Sequence, residues 1–133
     1  MKKVVHPMKF VFILLTALLL GGCAAQPTRN AFYRQISMEE AVTVMAEESD
    51  YIILDVRRAD EFASGHIPGA INVANESIGK DEIPELPDKD QLILVYCRSG
   101  NRSKQASQKL VKLGYTNIVE FGGILDWPGE IEK

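Results

Sequence analysis

The chain has 133 residues, 46% of them hydrophobic and 25% charged, with 15 Lys and Arg against 18 Asp and Glu for a formal charge of −3. That length suits one ordinary domain and is too short for two that each bury a good core. The acidic balance argues against nucleic acid as a partner.

In chain order, Lys2, Lys3 and Lys9 precede FVFILLTALLL, Phe10 to Leu20, and small residues lead on to Cys23. The apolar run has signal-peptide length and is short for a membrane span. A buried core helix is the bland alternative, opposed by the basic flank and by the lack of any polar face. LGGC, Leu20 to Cys23, resembles the lipobox of bacterial lipoproteins. That resemblance implies cleavage before Cys23, a diacylglyceryl group on its sulfur, and anchoring to the membrane by acyl chains rather than by a spanning helix. Residues 1–22 are then a signal peptide and residues 23–31 a short lipid-anchored tether, with small, polar and Pro residues and no periodicity. The domain proper, residues 32–133, is expected in the cell envelope, on the outer face of the cytoplasmic membrane or on an outer membrane facing the periplasm. Residues 1–22 hold three lysines and no acids, so their removal takes the formal charge to −6. Lipidation would consume the Cys23 thiol and leave Cys97 with no disulfide partner. A lone thiol outside the cytoplasm is usually either buried and inert or chemically employed.

From Phe32 onward, strand and helix patterns alternate. Tyr33 to Ile36 reads as a short strand. Ser37 and Glu40 form a capping box, followed by Met38, Ala41, Val42 and Met45 as one apolar helical face. YIILDV, Tyr51 to Val56, is a continuous apolar run of the kind buried parallel strands show. Ala59 to Ser64 is a short helix closed by Gly65, and Ala70 to Val73 another brief strand. Asn75 to Asp90 is acidic and broken by Pro84 and Pro87, which suggests a surface crossover with one helical turn. QLILVY, Gln91 to Tyr96, is the clearest strand. Ser103 to Leu113 carries Ala106, Leu110 and Leu113 on one helical face, with Gly114 as C-cap, and Ile118 to Phe121 is a last strand before Gly122 and Gly123 turn the chain. The alternation predicts an α/β domain with a mostly parallel sheet of about five strands and helices on both faces.

In such folds ligands sit beyond the C-terminal ends of the strands, where Cys97 stands between the strongest strand and a helix. YCRSGNRS, Tyr96 to Ser103, therefore presents its thiol in a loop placed for chemistry. The helix N-terminus offers unpaired N–H groups and a partial positive charge that stabilise a thiolate and an anion above it. Gly100 lets the loop curl into an anion-binding nest, and Arg98 and Arg102 add planar cations suited to carboxylate, phosphate or sulfonate oxygens. A cysteine at a strand end is more often a small core hydrophobe, and two surface arginines are usually a solvated face. Their spacing around one thiol reverses that prior.

The residues resemble the rhodanese-like domains, the single-domain sulfurtransferases. LDVRRADEFASGHIPGAINV, Leu54 to Val73, is similar to the family's first signature, CRSGNRS to its active-site loop, and LGYTNIVEFGGILDW, Leu113 to Trp127, to its closing segment. The resemblance implies that Cys97 takes up a sulfane sulfur as a persulfide, cradled by the amides of Arg98, Ser99, Gly100, Asn101, Arg102 and Ser103. It further implies that Asp55 and Arg57 organise buried polar contacts near the loop, and that Gly65, Pro68 and Gly69 shape a turn which His66 stabilises. A His66 base for Cys97 is the less favoured reading, and Trp127 is read as core packing. The ending DWPGEIEK departs from the family, which often continues as a helix that Pro128 and Gly129 oppose.

The implied reaction is a two-step transfer. The Cys97 thiolate attacks the outer sulfur of thiosulfate or a similar small anion, with Arg98 and Arg102 on the sulfonate end, and a thiol, cyanide or partner protein later removes the terminal sulfur. No metal or organic cofactor is required, and the domain is expected to act as a monomer. A cysteine phosphatase or arsenate reductase is a rival, but such enzymes place the arginine after five intervening residues, where this chain has Ser103. A thiol–disulfide oxidoreductase is disfavoured by the absence of C-x-x-C. A non-catalytic binding module, or a slow persulfide carrier, is the rival of a different class, with loss of the nucleophile as the expected mark of the former.

Overall fold

The computed structural model describes residues 32–133; the expected signal peptide, the expected tether and Cys23 lie outside the described residues. Five strands, β1 (Arg34–Gln35), β2 (Tyr51–Asp55), β3 (Ile71–Asn72), β4 (Leu92–Cys97) and β5 (Ile118–Gly123), form one sheet in the order β1-β5-β4-β2-β3. Every pairing is parallel. The helices are α1 (Met38–Glu47), α2 (Ala59–Ser64) and α3 (Asn101–Lys112), with single 3-10 turns at Asn75–Ser77 and Ile124–Asp126.

Strand alternation divides the core into two layers. Leu54, Val56, Ile93, Val95, Cys97 and Ile118 meet Ala106 and Leu110 of α3 on one face. On the other face Ile53, Leu94, Tyr96, Val119 and Phe121 pack with Ala41 of α1 and, at its margin, Phe62 of α2. The central strands are covered on both sides, which is why they read as unbroken apolar runs.

The Ser37–Glu40 capping box forms as expected, the Glu40 N–H donating to Ser37 Oγ at 3.1 Å and the Ser37 N–H to Glu40 Oε2 at 2.8 Å. The buried stripe of α1 runs through Met38, Ala41, Val44 and Met45, while Val42, assigned to it from spacing, is exposed. Residues 75–90 are more than the expected surface crossover: Ile78, Ile83 and Leu86 of this segment are buried in the core, and the Tyr115 hydroxyl donates to the Leu86 carbonyl at 2.7 Å. Helix α3 starts at Asn101, two residues before the expected Ser103, and closes at Gly114 with φ +96°. Strand β5 continues through Gly122 and Gly123, where a turn was expected, and the chain bends only at the 3-10 turn that follows. Pro128 and Gly129 do stop a terminal helix; Glu132 instead makes an antiparallel bridge to His66.

Candidate active site

Cys97 is the last residue of β4, and the register between β4 and β5 shifts between Val95 and Cys97 so that Cys97 pairs with Gly123. This irregularity brings β5 against the loop: a Cβ on Gly123 would collide with the backbone of Arg98 and Ser99. Gly100 then takes the left-handed conformation, φ +112°, at the N-cap of α3, which turns its N–H back onto the Cys97 Sγ at 3.0 Å. The sequence reading presents the thiol in the loop. It is buried, with 1% exposure, because the loop curls over it and Cys97 also belongs to the apolar layer beneath α3.

Burial raises the pKa of a thiol by penalising its charge. Here that effect is outweighed by the hydrogen bond between Cys97 and the Ser103 side chain and by those from the N–H groups of Ser103, Gly100 and Ser99, and the Cys97 pKa is lowered from its ordinary value. A nest of amides around sulfur at a helix N-terminus stabilises negative charge on that sulfur, whether a thiolate or a sulfur-bearing anion.

The two arginines have different circumstances. Arg102 faces Glu61 of α2 in a bidentate pair, its Nη1 donating to Oε2 at 2.6 Å and its Nη2 to Oε1 at 2.9 Å. Arg98 is exposed, with no side-chain ion pair among the described residues. The equivalent cations expected from spacing are thus one anchored to a carboxylate and one free to meet a ligand. Ser99 and Asn101 are exposed on the loop, whereas Gly100 and Ser103 are buried in it.

Behind the sulfur, Ser103 is fully buried and its hydroxyl donates to Oε1 of Glu120 at 2.6 Å; the Cys97 thiol in turn reaches the Ser103 Oγ at 3.5 Å. Glu120, 3% exposed, also accepts from the Gly122 N–H at 2.9 Å. Neither Glu120 nor Gly123 figured in the sequence reading of the site. Glu120 did leave a signal, since an acid inside the apolar strand IVEFGG needs a buried partner.

Asp55 and Arg57 form a buried pair on the opposite face of the sheet. The Arg57 Nη2 donates to Asp55 Oδ2 at 2.6 Å and to the Gly65 carbonyl at 2.7 Å, and the Tyr96 hydroxyl donates to Asp55 Oδ2 at 2.6 Å. They support the strand that ends in Cys97 rather than meeting its sulfur. Burial first, and the hydrogen bond to Asp55 second, push the Tyr96 pKa up. His66 stacks on Phe62 at 3.8 Å between ring centroids, and its Nδ1 lies 2.9 Å from the Phe62 carbonyl, a place in the turn and not beside Cys97. Trp127 packs at the margin of the second core layer. Among the described residues no three His, Cys, Asp or Glu side chains are grouped to hold a metal ion, and no helix is long and apolar enough to cross a membrane.

The profile of the rhodanese-like domain matches residues 38–130. The thiosulfate sulfurtransferase GlpE of Pseudomonas entomophila is 34% identical over 103 residues, covering 74% of this chain and 91% of that protein. The adenylyltransferase and sulfurtransferase UBA4 of Candida albicans is 34% identical over 120 residues, covering 85% of this chain, which spans only 27% of that longer protein. Among solved structures, a rhodanese with anions from Escherichia coli is 31% identical with a TM-score of 0.57, covering 62% of this chain and 98% of that one.

Proposed function

The chain belongs to the rhodanese-like domain family, and from that premise we propose that it is a sulfurtransferase carrying a sulfane sulfur on Cys97. The observation that carries the reading is the position of the Cys97 Sγ, which sits at the C-terminal end of β4 and accepts the Gly100 N–H at 3.0 Å, with its pKa lowered by the surrounding donors. In the first step the thiolate attacks the outer sulfur of thiosulfate or a similar donor, the S–S bond of the donor breaks, and sulfite departs with the bonding pair. The persulfide anion rests against the N–H groups of residues 98–103. Arg98 supplies the cation for the sulfonate end, while Arg102, paired with Glu61, holds the loop and adds a weaker field. In the second step cyanide, a thiol or a partner protein attacks the terminal sulfur and the Cys97 thiolate is regenerated. The domain acts as a monomer and needs no metal or organic cofactor.

Incubation of the protein with thiosulfate alone should add one sulfur atom to the Cys97 peptide and release sulfite, and cyanide should then yield thiocyanate. Cys97→Ser should do none of these. A wild type that takes sulfur from no sulfane donor would make the domain a binding module.

The location proposed for this activity is the cell envelope, with residues 1–22 as signal peptide, residues 23–31 as tether and Cys23 as the lipidated residue. LGGC after a basic, apolar leader supports that reading. Cys23→Ser should block processing and acylation of the full chain in bacteria, and an unprocessed, unlipidated wild type would overturn it.

A further inference from the structure

We propose that Cys97 and Glu120 share one proton through the hydroxyl of Ser103, so that the thiol ionises by passing its proton inward. The inference rests on Cys97 being the nucleophile of the proposed reaction. Its basis is that the Ser103 hydroxyl has one hydrogen and several claimants, of which the Gly100 and Gly122 carbonyls lie 2.9 and 3.4 Å from Oγ while the Glu120 carboxylate is both nearer and charged. Oγ lies 2.6 Å from Glu120 Oε1 and 3.5 Å from the Cys97 Sγ, and all three residues are at most 3% exposed. A buried carboxylate commands that hydrogen when it is ionised, leaving the Oγ lone pairs to accept from the thiol. The chain then runs S–H to O–H to carboxylate.

Transfer reverses both bonds. The S–H bond breaks as its proton joins Oγ, the original Oγ hydrogen joins Oε1, and the sulfur keeps the electron pair as a thiolate. Nothing is oxidised or reduced, and the net charge of the trio is unchanged. Ser103 now donates to the thiolate and accepts from the carboxylic acid. A neutral Glu120 also removes a like charge from behind the sulfur when the persulfide anion forms. Ser103 touches the reacting sulfur; Glu120 is a positioning residue that acts through it.

The other charges facing this trio are few. Arg102 of α3 is felt electrostatically by Cys97, and Glu61 of α2 and Glu76 face Arg102; Arg98 stands on the loop itself. Asp55, Arg57 and Tyr96 lie on the opposite face of the sheet. On its own face Glu120 has Ser103 and the Gly122 N–H as its partners.

Two groups sharing a proton titrate in two macroscopic steps. The test is the rate of Cys97 alkylation by iodoacetamide in the full chain, read on the Cys97 peptide by mass spectrometry from about pH 4 to 10, the span in which carboxylates and thiols ionise. The wild type should show a low-pH plateau from the thiolate–carboxylic acid form and a second rise when the last proton leaves. Glu120→Gln should collapse this to one step, and Ser103→Ala should lower the plateau about tenfold or more, the worth of a charge-assisted hydrogen bond. Circular dichroism checks that both variants fold, and the wild-type profile decides by itself if they do not. A single-step wild type, or a Glu120→Gln protein that keeps two steps, would overturn the shared proton. Sulfur loading from thiosulfate, measured in parallel, separates the two readings: two-step alkylation without loading would sink sulfur transfer and leave the shared proton standing.

Discussion

Arg102 and Glu61 join α3 to α2 across the mouth of the Cys97 loop, 41 residues apart in sequence, through two hydrogen bonds of 2.6 and 2.9 Å. That pair holds the Glu61 carboxyl down at about 2 from its ordinary value of 4.5, chiefly by the Arg102 hydrogen bonds against a smaller opposing effect of burial. A carboxylate with a depressed folded pKa contributes stability that is fully present above its unfolded pKa and is lost as pH falls through the folded value. Glu61→Gln should therefore lower stability by about 1 to 2 kcal/mol near neutrality, allowing for partial solvent screening. The gap between the two proteins should close as pH falls from about 4.5 to 2. Urea unfolding at a series of pH values measures it, and a gap independent of pH would assign the loss to packing.

The different circumstances of the two arginines predict different kinetic losses. Arg98→Ala should raise KM for thiosulfate by about 10-fold to 100-fold, as removal of one direct charge-assisted contact would, and leave an uncharged donor nearly unaffected. Arg102→Ala should instead weaken both donors, because it releases Glu61 and loosens the loop. Equal losses for charged and uncharged donors in the Arg98 variant would show that it acts through loop shape and not through the sulfonate.

Much of this site was legible before the structure because its parts are contiguous. Cys97, Gly100 and the start of α3 follow each other in the chain, so strand, nest and helix N-terminus could be placed from eight residues, Tyr96 to Ser103. The central strands were legible because burial on both faces removes alternation and leaves plain apolar runs. Contacts that span long stretches were not. The Arg102–Glu61 pair needs α2 and α3 to meet, and the Ser103–Glu120 bond needs β5 beside β4. Spacing also could not show that Cys97 is roofed over, since the fold of the loop depends on the closeness of Gly123 from β5.

That closeness gives a graded set of glycine substitutions. Gly123→Ala should be the most damaging, because the new Cβ meets the backbone of Arg98 and Ser99 and cannot be accommodated by a side-chain move. Sulfur loading should fall with it, since the loop must shift. Gly100→Ala has space, with nothing closer than 3.8 Å, but its φ of +112° is costly for any residue with a Cβ, at about 1 to 2 kcal/mol. Gly79→Ala meets nothing within 4 Å and should be close to neutral. Thermal unfolding paired with persulfide yield orders the three, and a tolerated Gly123→Ala would show that β5 yields more readily than the contact implies.

The last prediction concerns the buried Asp55–Arg57 pair, whose side chains are 0% and 6% exposed. Removing one member of such a pair leaves an uncompensated charge in the interior, which costs about 3 to 5 kcal/mol, a large share of the total stability of a small domain. Asp55→Ala strands the Arg57 guanidinium with the Gly65 carbonyl as its remaining acceptor and takes away the acceptor of the Tyr96 hydroxyl. Tyr96→Phe is milder: Asp55 keeps Arg57, but the Ile67 N–H loses the hydroxyl it donates to at 3.1 Å, for about 1 to 3 kcal/mol. Both changes sit on the face of the sheet opposite the Cys97 sulfur. Sulfur loading per folded molecule should therefore stay near the wild-type level even as the urea midpoint drops. Loading and unfolding measured on the same samples test this. A variant that keeps its stability while losing loading would move Asp55 from the support of the strand into the sulfur chemistry itself.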